Sequence, residues 1–192
     1  MKKILCLLAL VLFSVALAQG CTSAQDSMTK GADMENKKIL IAYYSYSGNT
    51  KTVAEKIQKQ TGGDLFRIET VNSYPSGYNE VVEQAKKEKQ EDYHPPLKAK
   101  VDNIGQYDIV FLGTPVWWYT MAPAVKTFIK ENNMSNKTVI PFCTHGGGGA
   151  SSTFVDMQKL IPDASFKKGL VIYDNGGNTV DAEIKKWIEQ VL

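Results

Sequence analysis

Ile39-Leu40-Ile41-Ala42-Tyr43-Tyr44-Ser45-Tyr46-Ser47-Gly48-Asn49-Thr50 carries the reading of the whole chain. Its first six residues are apolar without alternation, the pattern of a strand covered on both faces, as in a parallel sheet. A loop rich in hydroxyls follows, then a helical pattern through about Gln60 in which Val53, Ala54 and Ile57 fall on one face. Gly62-Gly63 stop that helix, and the alternation repeats. Asp64 to Thr70 is a second strand, and Val71 to Gly77 a turn-rich insertion before a helix from about Tyr78 to Lys89, with Val81, Val82 and Ala85 facing in. Tyr107 to Gly113 is the third strand, and a helix from Ala122 to Lys130 carries Pro123 in its first turn, where proline is tolerated. Lys137 to Cys143 is the fourth strand, and a glycine-rich loop from Thr144 to Ala150 leads to a helix ending near Leu160. Leu170 to Tyr173 is the fifth strand, and Val180 to Leu192 the last helix. Strands alternating with helices at this spacing predict a doubly wound α/β domain over residues 37–192, with helices on both faces of a five-stranded parallel sheet.

Right-handed crossovers bring the loops after strands one, three and four to one end of such a sheet. Ligands bind there, outside the carboxyl ends of the strands. These loops are also the most unusual in the chain. Ser45 to Thr50 offers hydroxyls, an amide and a glycine just before a helix, where backbone N–H groups and the helix dipole favour an anion. The loop lacks the G-x-x-x-x-G-K-[ST] order of a nucleotide-hydrolysing loop, so it is suited to holding a phosphate and not to cleaving one. The simpler reading is a capped turn.

Tyr44 to Lys51 resembles the phosphate loop of the flavodoxin superfamily. Gly113-Thr114-Pro115-Val116-Trp117-Trp118-Tyr119-Thr120-Met121-Ala122-Pro123 and Pro141-Phe142-Cys143-Thr144-His145-Gly146-Gly147-Gly148-Gly149 resemble the second and third loops of a flavodoxin-like subfamily. The resemblance runs from about Lys37 to the end of the chain. It implies the flavodoxin-like strand order 2-1-3-4-5 and flavin mononucleotide (FMN) as cofactor. It implies that Ser45, Ser47, Gly48, Asn49 and Thr50 hold the FMN phosphate. Thr114, Pro115, Val116, Trp117, Trp118 and Tyr119, with Thr144, His145, Gly146 and Gly147, would line the flavin ring. The chemistry agrees, because tryptophan and tyrosine offer planar surfaces and glycines expose N–H groups to the ring's polar edge. Of Trp117 and Trp118, at least one is expected to meet the flavin or cap its pocket, the alternative being a place in the core.

The chain departs from typical flavodoxins at His145 and the glycines after it, where a stacking tyrosine is often found, and at Tyr74-Pro75-Ser76-Gly77-Tyr78, either tyrosine of which could reach the ring. His145 is open to two readings, a donor to the flavin or a partner of its own loop backbone. The only other histidine, His94, stands in a proline-rich connector without a ligand cluster, which argues against a metal. His145-Gly146-Gly147-Gly148 also resembles an esterase oxyanion loop, but Gly149-Ala150-Ser151-Ser152-Thr153 does not complete a G-x-S-x-G elbow. The resemblance therefore implies an electron carrier, with a nicotinamide–quinone type of FMN reductase as the alternative and a scaffold that no longer binds flavin as a third. A redox protein, a quinone or a nicotinamide would be the partner, and a homodimer is compatible with an exposed flavin edge.

The first twenty residues are of another kind. Lys2-Lys3 and the apolar stretch from Ile4 to Ala18 form the basic and hydrophobic regions of an export signal, too short for a membrane-spanning helix of about twenty residues. Ala18-Gln19-Gly20-Cys21 resembles a bacterial lipobox, which implies cleavage before Cys21 and lipidation of that cysteine. Residues 21–36 then read as a polar tether, and the chain as an envelope protein held to a membrane by its lipid alone. Cleavage would remove Lys2 and Lys3 and leave basic and acidic side chains balanced at 20 each, without a nucleic-acid stripe or an acidic docking face. Cys143 would remain as an unpaired thiol with apolar neighbours, expected to be buried and inert.

Overall fold

A computed structural model describes residues 37–192, and the export segment, Cys21 and the tether lie outside the described residues. The elements run β1 (Ile39–Tyr44), α1 (Asn49–Thr61), β2 (Asp64–Ile68), α2 (Tyr78–Gln90), β3 (Ile109–Trp117), β4 (Thr120–Met121), α3 (Pro123–Glu131), β5 (Thr138–His145), α4 (Thr153–Leu160), β6 (Ser165–Phe166), β7 (Leu170–Tyr173) and α5 (Val180–Val191). Single 3₁₀ turns at Ile104–Gln106 and Gly177–Thr179 precede β3 and α5.

The parallel ladder is β2-β1-β3-β5, with registers Ile41↔Leu65, Ile41↔Phe111 and Phe111↔Ile140. The fifth position is shared by two short strands: β6 pairs with the first half of β5, ending at Val139↔Phe166, and β7 with the second half, beginning at Phe142↔Leu170. Ile140 and Pro141 fall in the gap between them. Proline has no N–H for a ladder and is ordinarily confined to sheet edges. The break in the outer strand thus lies beside Pro141. The sequence predicts one fifth strand at Leu170–Tyr173, and the structure adds β6 before it.

Burial follows the apolar runs. Ile41, Ala42, Val110, Phe111, Leu112, Val139, Ile140 and Phe142 are fully enclosed. Phe111 meets Trp187 of α5 edge-on at 5.6 Å, and the Trp187 indole N–H donates to the Lys168 carbonyl at 2.8 Å. α3 is the most enclosed helix, with Ala124, Val125 and Phe128 buried and Phe66 tilted against Phe128 at 5.7 Å. Each fully buried side chain of this size is worth about 1.5–3 kcal/mol relative to exposure. α1 turns Thr50, Val53, Ala54 and Ile57 inward, and Lys56 ties it to Asp181 of α5 at 2.7 Å.

Two strands outrun their expected ends. β3 continues past Gly113 to Trp117 and turns back as an antiparallel hairpin into β4, pairing Val116 with Met121 and Trp117 with Thr120. β5 continues to His145. Gly113 sits where these strands meet, and a Cβ there would stand 2.1 Å from Cζ of Phe142, so only glycine fits beneath that ring.

Candidate functional site

A cleft of about 490 Å³ opens at the carboxyl ends of β1, β3 and β5. Its lining comes from the loop after β1, the β3–β4 hairpin, the loop after β5 and one side of α2. Ligand sites of small molecules commonly fall between about 300 and 1,000 Å³.

The loop after β1 presents Tyr46, Ser47 and Asn49 to the cleft. Gly48, at φ +98°, is the N-cap of α1, a conformation that carries little penalty only for a residue without a Cβ. The first bond closing the helix runs from the Thr52 amide to the Gly48 carbonyl at 3.0 Å. The amides ahead of it face the helix terminus, apart from that of Lys51, which donates to Ser45 Oγ at 3.1 Å. Ser45 is therefore a buried cap with its oxygen already engaged. Thr50 is buried as well, and its hydroxyl lies 2.8 Å from the hydroxyl of Thr144, which locks the first loop to the third.

The β3–β4 hairpin forms the aromatic wall. Its two-residue turn is Trp118-Tyr119, at φ +48° and +68°, the left-handed pair that such a turn requires. Those angles normally call for glycine or asparagine, so two aromatics here mark strain held in place by neighbours. The neighbours are specific. The Trp118 indole N–H donates to the Val82 carbonyl at 2.9 Å, the Trp118 carbonyl accepts from Lys89 Nζ at 2.7 Å, and Lys86 Nζ lies 5.3 Å from the indole centroid. On the other side the Ser152 amide donates to the Tyr119 carbonyl at 3.0 Å, and the Thr120 hydroxyl donates to Asp156 at 2.8 Å. Burial pushes the Asp156 carboxyl up, but hydrogen bonds from Ser152 and Thr120, and Lys159 beside it, outweigh burial and hold it below the ordinary carboxylate value. Trp117 points into a ring cluster, edge-on to Tyr74 at 5.0 Å, Tyr44 at 5.6 Å and Tyr46 at 5.8 Å.

Thr114 sits beneath the hairpin. Its hydroxyl accepts from the Ala122 amide at 3.0 Å and donates to the Pro115 carbonyl at 2.9 Å, and the side chain is fully buried. In this arrangement it holds the hairpin base while Pro115 to Tyr119 face the cleft.

In the third loop, Thr144, His145, Gly146 and Gly148 reach the cleft, and Gly147 does not line it. The amides of Gly147 and Gly149 both donate to His145 Nδ1, at 3.0 and 3.1 Å. A nitrogen accepting two N–H bonds carries no proton, so the neutral imidazole bears its hydrogen on Nε2. The two readings of His145 are thus compatible, with one nitrogen shaping the loop and the other a donor. Tyr173 packs edge-on against this ring at 5.7 Å.

Of the residues expected at the site, Ser47, Asn49, Pro115 to Tyr119 and Thr144 to Gly146 meet in one cleft, whereas the buried Ser45, Thr50 and Thr114 and the glycines Gly48 and Gly147 do not line it. Four α2 residues, Tyr78, Val81, Val82 and Ala85, together with Ser151 and Asp174, also line it. The periodicity of α2 marks an inward face but not whether that face meets core or cleft. Tyr74 goes to the ring cluster and donates to Glu88 at 2.5 Å, while Tyr78 stands at the cleft rim, 77% exposed. Burial pushes the Cys143 thiol up to about 12, and it lies enclosed in β5. Among the described residues no helix is long and apolar enough to cross a membrane.

Comparison with known proteins agrees with this geometry. A protein from Bacteroides eggerthii, assigned as a flavoprotein, superposes with a TM-score of 0.73 and 34% identity over 81% of this chain and 98% of its own. A Lactobacillus acidophilus flavoprotein crystallised in complex with FMN superposes with a TM-score of 0.65 and 24% identity, over 79% of this chain and 99% of its own. Haemophilus influenzae flavodoxin is 28% identical over 86 residues, which cover 45% of this chain and only 35% of that protein. The flavodoxin family model matches residues 38–191, and the chain belongs to the flavodoxin family.

Proposed function

We propose that the chain binds FMN in this cleft and passes electrons through it. The observation that carries the reading is the convergence, in one cleft, of the start of α1 with an aromatic wall and the imidazole of His145. An anion at the start of α1 would be held by amides of residues 47–50 and by Ser47 and Asn49. A planar ring would lie against Trp118, Tyr119 and Val116, with His145 Nε2–H and the Gly146 amide at its polar edge. FMN, when bound, supplies a ring that takes up and releases electrons singly or in pairs. The chain's own part is to hold the phosphate, orient the ring and present its edge.

The lipobox-like Ala18-Gln19-Gly20-Cys21 supports placing this activity at a cell-envelope membrane, with the domain tethered through a lipid on Cys21. A second reading, an FMN-dependent reductase that takes hydride from a nicotinamide and delivers it to a quinone-like acceptor, is favoured by the exposed rim. Tyr78 and Tyr119, 77% and 67% exposed, flank the cleft as ledges for a second planar substrate.

The test is an absorption titration of the chain with FMN, followed by stepwise anaerobic reduction. Stoichiometric binding with separate one-electron steps supports the carrier. Binding with a single two-electron step favours the reductase, and an absence of binding removes both readings.

A further inference from the structure

A second cleft, of about 340 Å³, has walls from α2 and the residues after it, the β3–β4 hairpin, the first turn of α3 and the end of α4. Its volume falls within the range of small-molecule sites. Trp117 and Ala85 are the residues common to this cleft and the first, so the two spaces meet at one indole. Apolar groups make up most of the lining, with Met121, Pro123 and Leu160 joining Trp117.

The polar groups define what such a cleft takes. The carboxylates of Glu88, Asp92 and Asp156 and the ammonium groups of Lys89, Lys126 and Lys159 line it, so it carries no net charge and suits a neutral occupant. Its carboxylates are already in use as acceptors. Glu88, the one buried charged side chain among the described residues, accepts from Tyr74 at 2.5 Å and from Gln84 at 2.8 Å. Asp156 accepts from Thr120, Ser152 and Lys159 at 2.8, 2.7 and 3.4 Å, and Asp92 accepts from Lys126. Donors, by contrast, are in surplus. An ammonium carries three N–H bonds, whereas Lys89, Lys126 and Lys159 each make one hydrogen bond, to the Trp118 carbonyl, Asp92 and Asp156. Tyr93 adds an exposed hydroxyl. The occupant that fits is neutral, apolar over most of its surface, and an acceptor at its polar atoms.

We propose that this second cleft binds a neutral quinone, with its ring against Trp117, Met121 and Leu160 and its carbonyl oxygens accepting from the lysine ammoniums and Tyr93. A quinone has the required character: a flat apolar ring that packs on an indole, and two carbonyls that accept hydrogen bonds and donate none. The inference rests on the flavin reading, because the occupant is an electron acceptor and Trp117 is the wall it shares with the flavin cleft. It places the acceptor behind the hairpin, away from the exposed rim of Tyr78 and Tyr119, so flavin and quinone are bound together.

Titration of the full chain with 2,3-dimethyl-1,4-naphthoquinone, with and without saturating FMN, tests this by NMR of methyl-labelled methionine, the Met121 signal being assigned with Met121→Leu. A saturable shift of the Met121 methyl in both titrations is the expected result. Leu160→Trp, which fills the cleft from its half-buried edge, should weaken quinone binding at least about tenfold and leave FMN affinity unchanged. Lys159→Met, at an exposed position where folding is not at risk, should weaken it about threefold through the lost donor. Displacement of the quinone by FMN overturns the assignment, as does unchanged affinity in both variants or an absence of binding. Equal affinity for 2,3-dimethylnaphthalene, which has the ring without the carbonyls, overturns the choice of a quinone. If the chain takes no FMN, the flavin reading fails by itself, and the Met121 shift with its loss in Leu160→Trp still decides the second cleft.

Discussion

Replacing Thr50 and Thr144 by valine, singly and together, isolates the contact that joins the first and third loops. The two hydroxyls are 2.8 Å apart and both residues are buried, so no water replaces a partner that is removed. Either single substitution deletes the bond and strands the other hydroxyl, at a cost of about 1–3 kcal/mol. In a domain of this size that lowers the melting temperature by roughly 2–4 °C per kcal/mol. Valine keeps the shape of threonine, and the double substitution leaves no polar atom behind, so it should cost under about 1 kcal/mol. The expected coupling energy, the two single costs less that of the double, is then at least about 1 kcal/mol in favour of the pair and about 3 kcal/mol at mid-range. Urea denaturation of the four proteins measures it. Because valine at position 50 retains the backbone N–H, the double variant should also keep FMN affinity within about threefold of the parent. Additive costs, with the double variant as weak as the two losses summed, would refute the idea that the loops are locked through this bond. A normal stability with lost flavin affinity in every protein lacking Thr50 would instead return its hydroxyl to the phosphate.

Further outcomes are expected elsewhere. Gly113→Ala places a Cβ 2.1 Å from the Phe142 ring and should cost about 3 kcal/mol or more, read as loss of soluble protein or of melting temperature, with Phe142→Leu restoring part of it. Cys143 should resist thiol reagents in the native state and react only on unfolding. Its folded value is raised, so stability should decline as pH climbs from 9.0, its ordinary value, towards about 12, and Cys143→Ala should make that decline shallower, the share of buried tyrosines such as Tyr44 and Tyr74, whose values burial also raises, remaining. Asp156→Asn weakens the acceptor for Ser152 and Thr120 and should cost about 1 kcal/mol at neutral pH. Because the Asp156 carboxyl is held below its ordinary 3.8, the difference between parent and variant should shrink as pH falls through the depressed value, as measured by denaturation at pH 7 and pH 3.

The parts of the fold that follow from hydrophobic periodicity were legible. β1 and β7 begin and end where the apolar runs do, and α1 buries the face its spacing marks. The hairpin was not legible, because a two-residue turn ordinarily announces itself through glycine or asparagine, and Trp118-Tyr119 hides it behind residues that disfavour those angles. β6 is Ser165-Phe166 alone, too short for any pattern, and its existence depends on pairing with β5. The site was legible as loops but not as side-chain roles. Ser45, Thr50 and Thr114 stand in loops whose composition suggests a ligand, yet their hydroxyls are engaged by Lys51, Thr144 and Ala122. Only tertiary contacts distinguish a hydroxyl that awaits a ligand from one that builds the frame. The cleft-facing side of α2 was hidden for a related reason, since Val81, Val82 and Ala85 would read the same against a core.

The Trp118-Tyr119 turn also bears on how this protein would respond to selection for robustness. A search for heat-resistant variants would be drawn to that turn, since Asn-Gly relieves the backbone at both positions. Such a variant would gain a relaxed hairpin and lose the indole that Val82 and Lys86 hold over the cleft, together with the exposed Tyr119 ledge. Survivors of a thermal screen should therefore be enriched for proteins that fold well and no longer function, and a screen that also scores flavin retention should leave these two positions aromatic.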